Sequence, residues 1–225
     1  MPGARYRPQS DLRYPGGASM FTTPRIIAIA LCAALNFAVG SIVYLTKLPI
    51  YLDSIGTILC ALLIYPDRIA AFVCAFLAAM ISTVITTLFI NPFLIWFTLT
   101  EVAIAFIAAF VVARGDALFR ERPLPIVKFV IRVILSGILL GLVSAIVSAP
   151  VVAYVFGGVT GSGSAFLVAF FLKAGQHLMS AVLHSGLTAE PIDKSLQVLL
   201  AALLFRSTPK DFIAMVRARP HAAPT

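Results

Sequence analysis

Long apolar runs that alternate with short basic segments are the feature that most constrains the fold of this chain. Of its 17 lysines and arginines, 14 fall in four stretches, and the longest apolar runs lie between those stretches. Basic loops stay on the cytoplasmic side of a bilayer, so the pattern predicts a multi-pass protein of the cell (inner) membrane with both ends in the cytoplasm. The stretches contain Arg5, Arg7, Arg13 and Arg25; Arg68; Arg114, Arg120, Arg122, Lys128 and Arg132; and Arg206, Lys210, Arg217 and Arg219.

The overall composition excludes a soluble domain. Hydrophobic residues make up 60% of the chain, charged residues 12%, and the mean hydropathy is +1.01. A soluble domain carries about 25% charged residues. The net charge of +8 would suit nucleic acid, but the basic residues flank apolar runs instead of lining one polar face. Anionic lipid and the insertion machinery explain them better, so we expect a lipid bilayer and no nucleic acid as partner.

The apolar runs predict an all-α membrane helix bundle with about six transmembrane helices. A spanning helix needs about 20 apolar residues. Counting every run as a span would put the C-terminal basic residues outside, against the charge pattern. We therefore expect six net crossings, with run 165–187 partly re-entrant or packed against the outer face, and a kink or end at Pro150. The runs are 26–45, 52–65, 69–90, 93–113, 126–148, 165–187 and 195–205.

Polar segments flank this apolar region on both sides. Residues 1–20 contain several prolines and no apolar core, which predicts a disordered polar tail, and Met20 is an alternative start. Residues 21–208 form the predicted membrane-embedded bundle, and residues 209–225 form a cytoplasmic basic tail.

No motif in the sequence indicates catalysis, a cofactor or a metal site. The chain contains no P-loop, zinc pattern or nucleophile elbow. Its three cysteines, Cys32, Cys60 and Cys74, lie inside apolar runs, where a thiol behaves as a small hydrophobe. We therefore expect a protein that is not an enzyme.

The first apolar run carries a stripe of small residues at Ala30, Ala34 and Ala38. Small residues at four-residue spacing make a flat surface on which another helix packs closely. The stripe indicates either internal packing of the bundle or a docking face for a partner membrane subunit.

The segment that contains Lys47, Tyr51 and Asp53 lies on the predicted outer side. Asp53 precedes a short helix, where aspartate is a favoured N-cap. The alternative is that the three residues belong to a loop that closes over a ligand.

Glu101 lies about nine residues into the fourth apolar run, roughly 13 Å deep at 1.5 Å per residue. An ionisable group at that depth costs at least about 2.5 kcal/mol, so it should face the bundle interior and meet a partner. A structural hydrogen bond to Thr83, Thr86 or a histidine, ligand binding and proton coupling are the alternatives. Trp96 lies toward the outer end of the same run, and Asn91 lies just before it at the mouth of the bundle. Trp96 is either an interfacial anchor or a stacking face.

Lys173, Gln176 and His177 recur at three- to four-residue spacing, which predicts that they share one helical face and line a wet cavity. Lys173 could instead extend toward the membrane interface. The polar segment 190–194 is expected to interrupt the last apolar region, with Asp193 and Lys194 as a local ion pair.

Three segments resemble the substrate-binding (S) components of energy-coupling factor transporters: 48–59, the glycine-rich 157–163, and 190–194. The similarity extends over most of residues 21–208. One departure is the turn at 65–68, where many relatives have a Gly-Pro type turn.

The resemblance implies a six-helix membrane protein that captures a vitamin or related micronutrient from outside. It also implies a transmembrane coupling subunit and two cytoplasmic ATPase subunits as partners, and an S component that hydrolyses nothing. The alanine stripe would contact the coupling subunit. The substrate site would lie near the outer side, in the regions of Lys47, Tyr51, Asp53, Asn91, Trp96, Glu101, Lys173, Gln176 and His177.

Within that site, Trp96 and Tyr51 would supply ring contacts, and a lysine, Lys47 or Lys173, would meet an anionic group. Hydrogen bonds would come from Asn91, Glu101, Gln176 and His177. One alternative function is a self-sufficient secondary transporter in which Glu101 and a histidine relay protons. Another is a membrane sensor or scaffold that binds a ligand and moves nothing.

Overall fold

The computed structural model describes residues 20–218, and every regular element within that part of the chain is helical. The predicted tail at 1–20 lies almost wholly outside the described residues. The elements are α1 (Thr23–Thr46), α2 (Ile55–Ile64), α3 (Arg68–Phe89), a 3-10 helix (Pro92–Phe97), α4 (Thr98–Phe110), a 3-10 turn (Val112–Gly115), α5 (Asp116–Arg120), α6 (Ile126–Pro150), a π turn (Val151–Val155), α7 (Ser164–Lys173), α8 (Leu178–Ser207) and α9 (Lys210–Arg217).

Four helical segments in the described range are long and apolar enough to cross a membrane. Their length and composition identify an all-helical membrane protein, as the apolar runs predict. Helices α2 and α7 have only ten residues each. Helix α8 has 30 residues but includes buried charged side chains. The four segments are Thr23–Thr46, Arg68–Phe89, Pro92–Arg120 and Ile126–Val155.

The short helix α2 lies at the centre of the bundle. Nine of its ten residues are buried, and it packs against α1, α3, α4 and α8. A helix that is apolar on all sides is stable only when other elements surround it, which explains this position. Residues 47–54, here called the first loop, connect α1 to α2.

Helices α6 and α8 pack closely through glycines. A Cβ at Gly137 would lie 2.2 Å from Ser195 Oγ, and a Cβ at Gly141 would lie 2.4 Å from the Cα and N atoms of Pro191. The missing side chains let the two backbones approach, as small residues do in membrane helix pairs. At the end of α6, Pro150 precedes the π turn, at the position where a kink or end was expected.

The predicted interruption at 190–194 is wrong, because α8 continues through this segment as one helix. The charged side chains of this segment form ion pairs inside the bundle, so the helix does not have to end there to expose them to water. The chain is instead broken within run 165–187, where α7 ends and Gly175 adopts a left-handed φ of +87°. Glycine adopts this conformation without strain and commonly terminates helices.

Arginine side chains join α9 to the start of α1 and to the last turn of α2 at one face of the bundle. Arg25 Nε donates to Val216 O at 3.0 Å, which links the start of α1 to α9. Arg217 donates to Leu62 O and Leu63 O at 2.8 and 3.1 Å. These carbonyls belong to the last turn of α2, where a helix has no internal partners for them. Residues 210–217 of the expected basic tail are thus a helix packed on the bundle.

Replacing Gly141 with alanine should destabilise the protein, because its new Cβ would overlap the backbone of Pro191. Overpacking of this kind costs about 1–3 kcal/mol, so we expect a lower melting temperature of the detergent-purified chain. Gly186→Ala is the matched control at the same interface, since its Cβ would meet Ala145 Cβ at 3.1 Å. A Gly141→Ala variant that melts no lower than Gly186→Ala would contradict the close packing.

Candidate functional site

A partly open cavity lies within the bundle and is bounded on one side by the first loop. Its empty volume is about 990 Å³, a figure that includes solvent space at the open mouth. Its walls come from six helices and two loops. Polar wall residues are Asn36, Tyr44, Tyr51, Asp53, Ser82, Thr83, Thr86, Thr100, Glu101, Ser148, Thr160, Ser162, Glu190 and Lys194, and apolar ones include Ile50, Leu94, Phe97, Ile104 and Val152.

The first loop is held in place by side chains of α8. The N–H groups of Tyr51 and Leu52 donate to Asp193 Oδ1 at 3.0 and 3.1 Å. The N–H of Ser54 donates to Gln197 Oε1 at 3.0 Å. Non-helical backbone at membrane depth is stable only where its polar groups are satisfied in this way. The contacts allow an irregular loop to form the cavity wall.

Lys194 is the centre of a buried charge network. Its Nζ lies 3.0 Å from Asp193 Oδ2, 3.3 Å from Asp53 Oδ1 and 3.6 Å from Glu190 Oε2. The expected local pair of Asp193 and Lys194 is therefore confirmed, within a larger network that also includes the first loop. The N-cap alternative for Asp53 is wrong, because Ser54 occupies that position and the Asp53 carboxylate contacts Lys194 instead.

Glu101 lies in the first turn of α4 and is 7% exposed, so its expected position inside the bundle is confirmed. Its Oε2 has no hydrogen-bond partner among the described residues. Thr86 does not supply the structural hydrogen bond that was one alternative for Glu101, because its hydroxyl donates to Ser82 O at 2.7 Å. The carboxylate lines the cavity instead.

Tyr51 joins the first loop to the start of α7, directly after the glycine-rich segment. Its hydroxyl donates to Ser164 Oγ at 2.7 Å. Burial, with a smaller contribution from Glu190, raises the pKa of the Tyr51 phenol well above its ordinary value, so the hydroxyl stays protonated and donates. Lys47 Nζ reaches the glycine-rich segment from outside and donates to Gly161 O at 2.7 Å. These contacts close one side of the cavity.

Several predicted site residues lie outside the cavity wall. Lys47 is exposed and engaged with the glycine-rich segment. Asn91 caps the 3-10 helix, with its Oδ1 accepting from Phe93 N at 3.0 Å. Trp96 is 58% exposed on the outer surface of that helix. Its neighbour Phe97, which the sequence analysis did not single out, faces the cavity instead.

The prediction that Lys173, Gln176 and His177 share one helical face is wrong. Lys173 ends α7, Gln176 lies in the turn after Gly175, and His177 precedes α8. Gln176 Oε1 contacts His184 Nδ1 at 2.7 Å, away from the cavity wall. The left-handed glycine breaks the periodicity on which the prediction depended.

The alanine stripe of α1 faces away from the bundle. Ala30, Ala34 and Ala38 are all exposed, whereas the adjacent Ala33 is 2% exposed. The alternative of internal packing is therefore wrong.

The sequence patterns did not predict Glu190 and Lys194 as site residues, although both line the cavity. Both are buried in α8, at 7% and 2% exposure. The signal that could have identified them is the insertion cost that was applied to Glu101, because charged residues in an apolar helix require partners or a cavity.

Comparison with known proteins identifies no relative. No family model, no curated protein and no solved structure matches this chain. The fold itself defines the class as an all-helical membrane protein with a partly open cavity that contains charged side chains.

Replacing Asp193 with asparagine should strongly lower the melting temperature of the detergent-purified chain. An amide NH₂ would replace a carboxylate oxygen that accepts hydrogen bonds. The variant also loses one partner of a buried ion pair, which costs about 3–5 kcal/mol. Asp211→Asn is the matched control, since Asp211 is exposed on α9. Equal melting temperatures for the two variants would show that the network does not support the fold.

Proposed function

We propose that this protein is the substrate-capture subunit of an energy-coupling factor transporter, an S component of the cell membrane. It would bind a small water-soluble vitamin or related micronutrient from outside, for ATP-driven uptake by partner subunits. The observation that carries the proposal is the cavity beside the first loop, whose wall includes Glu101, with an Oε2 that is buried and has no hydrogen-bond partner within residues 20–218. The partners are a transmembrane coupling subunit and two cytoplasmic ATPase subunits.

The proposed topology has six crossings and cytoplasmic ends. Helices α1, α3, α4, α6 and α8 would cross, and the buried central helix α2 would complete a sixth crossing together with the first loop. The equally short α7 would not cross, because most of its residues are exposed or half-buried at the edge of the bundle. The hydrogen bond of Arg25 to Val216 supports termini on one side, because it joins the start of α1 to α9. The basic residues at that face support its cytoplasmic assignment.

The proposed mechanism begins with capture from the outer side. The first loop contacts the glycine-rich segment through Lys47 and the start of α7 through Tyr51, and a rearrangement of these contacts would admit the substrate. The coupling subunit would dock on the exposed stripe of α1, and reorientation of the whole bundle would be driven by the ATPases.

The ligand test is a thermal-shift screen of the detergent-purified full chain against vitamins and their precursors. A ligand at 100 times its dissociation constant adds about 2.7 kcal/mol to stability, and we expect one strong hit. Phe97→Ala should weaken binding of that hit, because Phe97 lines the cavity. Trp96→Ala is the matched control one residue away. Folded protein that responds to none of the compounds would contradict the proposal.

The docking test places tryptophan on the alanine stripe. In co-expression with the coupling and ATPase subunits of the same organism, Ala34→Trp should abolish co-purification and ATP-dependent uptake, because a bulky side chain prevents close helix packing. Ligand binding should persist, since Ala34 faces away from the cavity. Ile134→Trp, on the exposed side of α6, is the control. Normal assembly of Ala34→Trp would reject this docking face.

A second candidate function is proton-coupled transport without partner subunits. The buried, unpartnered Oε2 of Glu101 favours it, because such a carboxyl could carry a proton. Uptake by the purified chain in vesicles, driven by a pH gradient without any ATPase, would distinguish this function from capture alone.

A further inference from the structure

The charged groups of the cavity wall are unequal in number. Three carboxylates, those of Asp53, Glu101 and Glu190, face one ammonium group, that of Lys194. We propose that the cavity binds a small organic cation, with a protonated amine or a cationic ring nitrogen on a flat, partly apolar body. The inference rests on the proposed function and specifies the substrate class of the same site.

Lys194 is not available to an anionic ligand. Its ammonium group already lies 3.0 to 3.6 Å from three carboxylates, those of Asp53, Asp193 and Glu190. Its side chain is only 3% exposed, so it is fixed within this network. An anion that entered the cavity would compete with these contacts and would lie beside acidic side chains. A cation would instead pair with those side chains.

Glu101 is the group that most needs a partner. It is 93% buried, at 7% exposure, and its Oε2 forms no hydrogen bond within residues 20–218. The neighbouring Thr100 Oγ1 is also unpartnered, at the same exposure. A carboxyl group that is buried without a partner gives up its charge unless a cation compensates it, and a charged N–H donor is the partner that does so best. A ligand ammonium in the cavity would supply that donor.

The remaining wall suits the body of such a ligand. Tyr44, Tyr51 and Phe97 supply aromatic rings, and Leu94 and Ile104 supply aliphatic surface. Aromatic faces attract cations and stack on flat heterocycles. A metal ion fits less well, because no group of three or more His, Cys, Asp or Glu side chains in the described part of the chain is arranged to hold one.

The test uses matched probes that differ in charge. Thermal shifts and dissociation constants of the full chain in detergent are measured for 1-methylnicotinamide, nicotinamide and nicotinate, and for pyridoxamine, pyridoxine and 4-pyridoxate. The same assay includes the vitamin panel used for the proposed function. In each series we expect the cationic member to bind at least tenfold more tightly than the neutral or anionic member.

The variant Glu101→Gln should weaken binding of the cationic probes at least tenfold, which corresponds to about 1.4 kcal/mol. It should leave the affinity for the neutral probes within about twofold of wild type. Glu121→Gln, an exposed carboxylate in the loop after α5, is the matched control and should bind every probe normally. A melting temperature of ligand-free Glu101→Gln that is lower than that of the wild type would identify a folding defect. In that case, Thr100→Val provides a second cavity variant, which should weaken the cationic probes selectively.

The outcomes separate this inference from the proposed function. Preferential binding of cationic probes or of a cationic vitamin, lost in Glu101→Gln, supports it. A neutral or anionic vitamin that binds best overturns the cation preference and leaves the capture function standing. Equal affinity of Glu101→Gln and wild type for every cation also overturns the inference. If no compound in either panel binds to folded protein, both proposals fail.

Discussion

The buried carboxylate of Asp193 is the interaction on which the cavity depends. One of its oxygens accepts from the backbone of the first loop, and the other accepts from Lys194 and Gln197. Because this carboxylate is fully buried inside the bundle, any unmatched lone pair would be costly. The network therefore fixes the loop against α8. It also brings Asp53 to the same ammonium group, so the structural network and the wall of the cavity share Lys194.

Close helix packing provides the frame for that network. Gly137 and Gly141 let α6 approach α8 at the level of Pro191, and Gly56 lets α2 approach α1, where a Cβ would lie 2.0 Å from Cys32 O. In lipid, helices associate through such contacts and not through a hydrophobic driving force. The buried Asn36 adds a polar link, since its Oδ1 accepts from Gly56 N at 2.6 Å. The central α2 is thereby held on several sides.

Some of the site could be predicted from single residues, and some could not. The insertion cost of a charge correctly placed Glu101 inside the bundle, and the same argument applied to Glu190 and Lys194 would have identified the rest of the charged wall. The spacing of Gly137 and Gly141 was also a visible signal for close packing. Lys173, Gln176 and His177 were misjudged, because helical periodicity was extended across Gly175, whose left-handed backbone ends one helix before the next begins.

The sequence by itself determined the membrane location, the helical class and the approximate ends of the long spans, because hydropathy and charge act locally along the chain. Only the tertiary structure decided which polar groups meet. Asp53 and Asp193 are 140 positions apart, and their contact with one ammonium group depends on how α8 lies against the first loop. The outward direction of the alanine stripe was likewise decided by packing. A small residue suits either face of a helix, so its spacing alone does not show what it contacts.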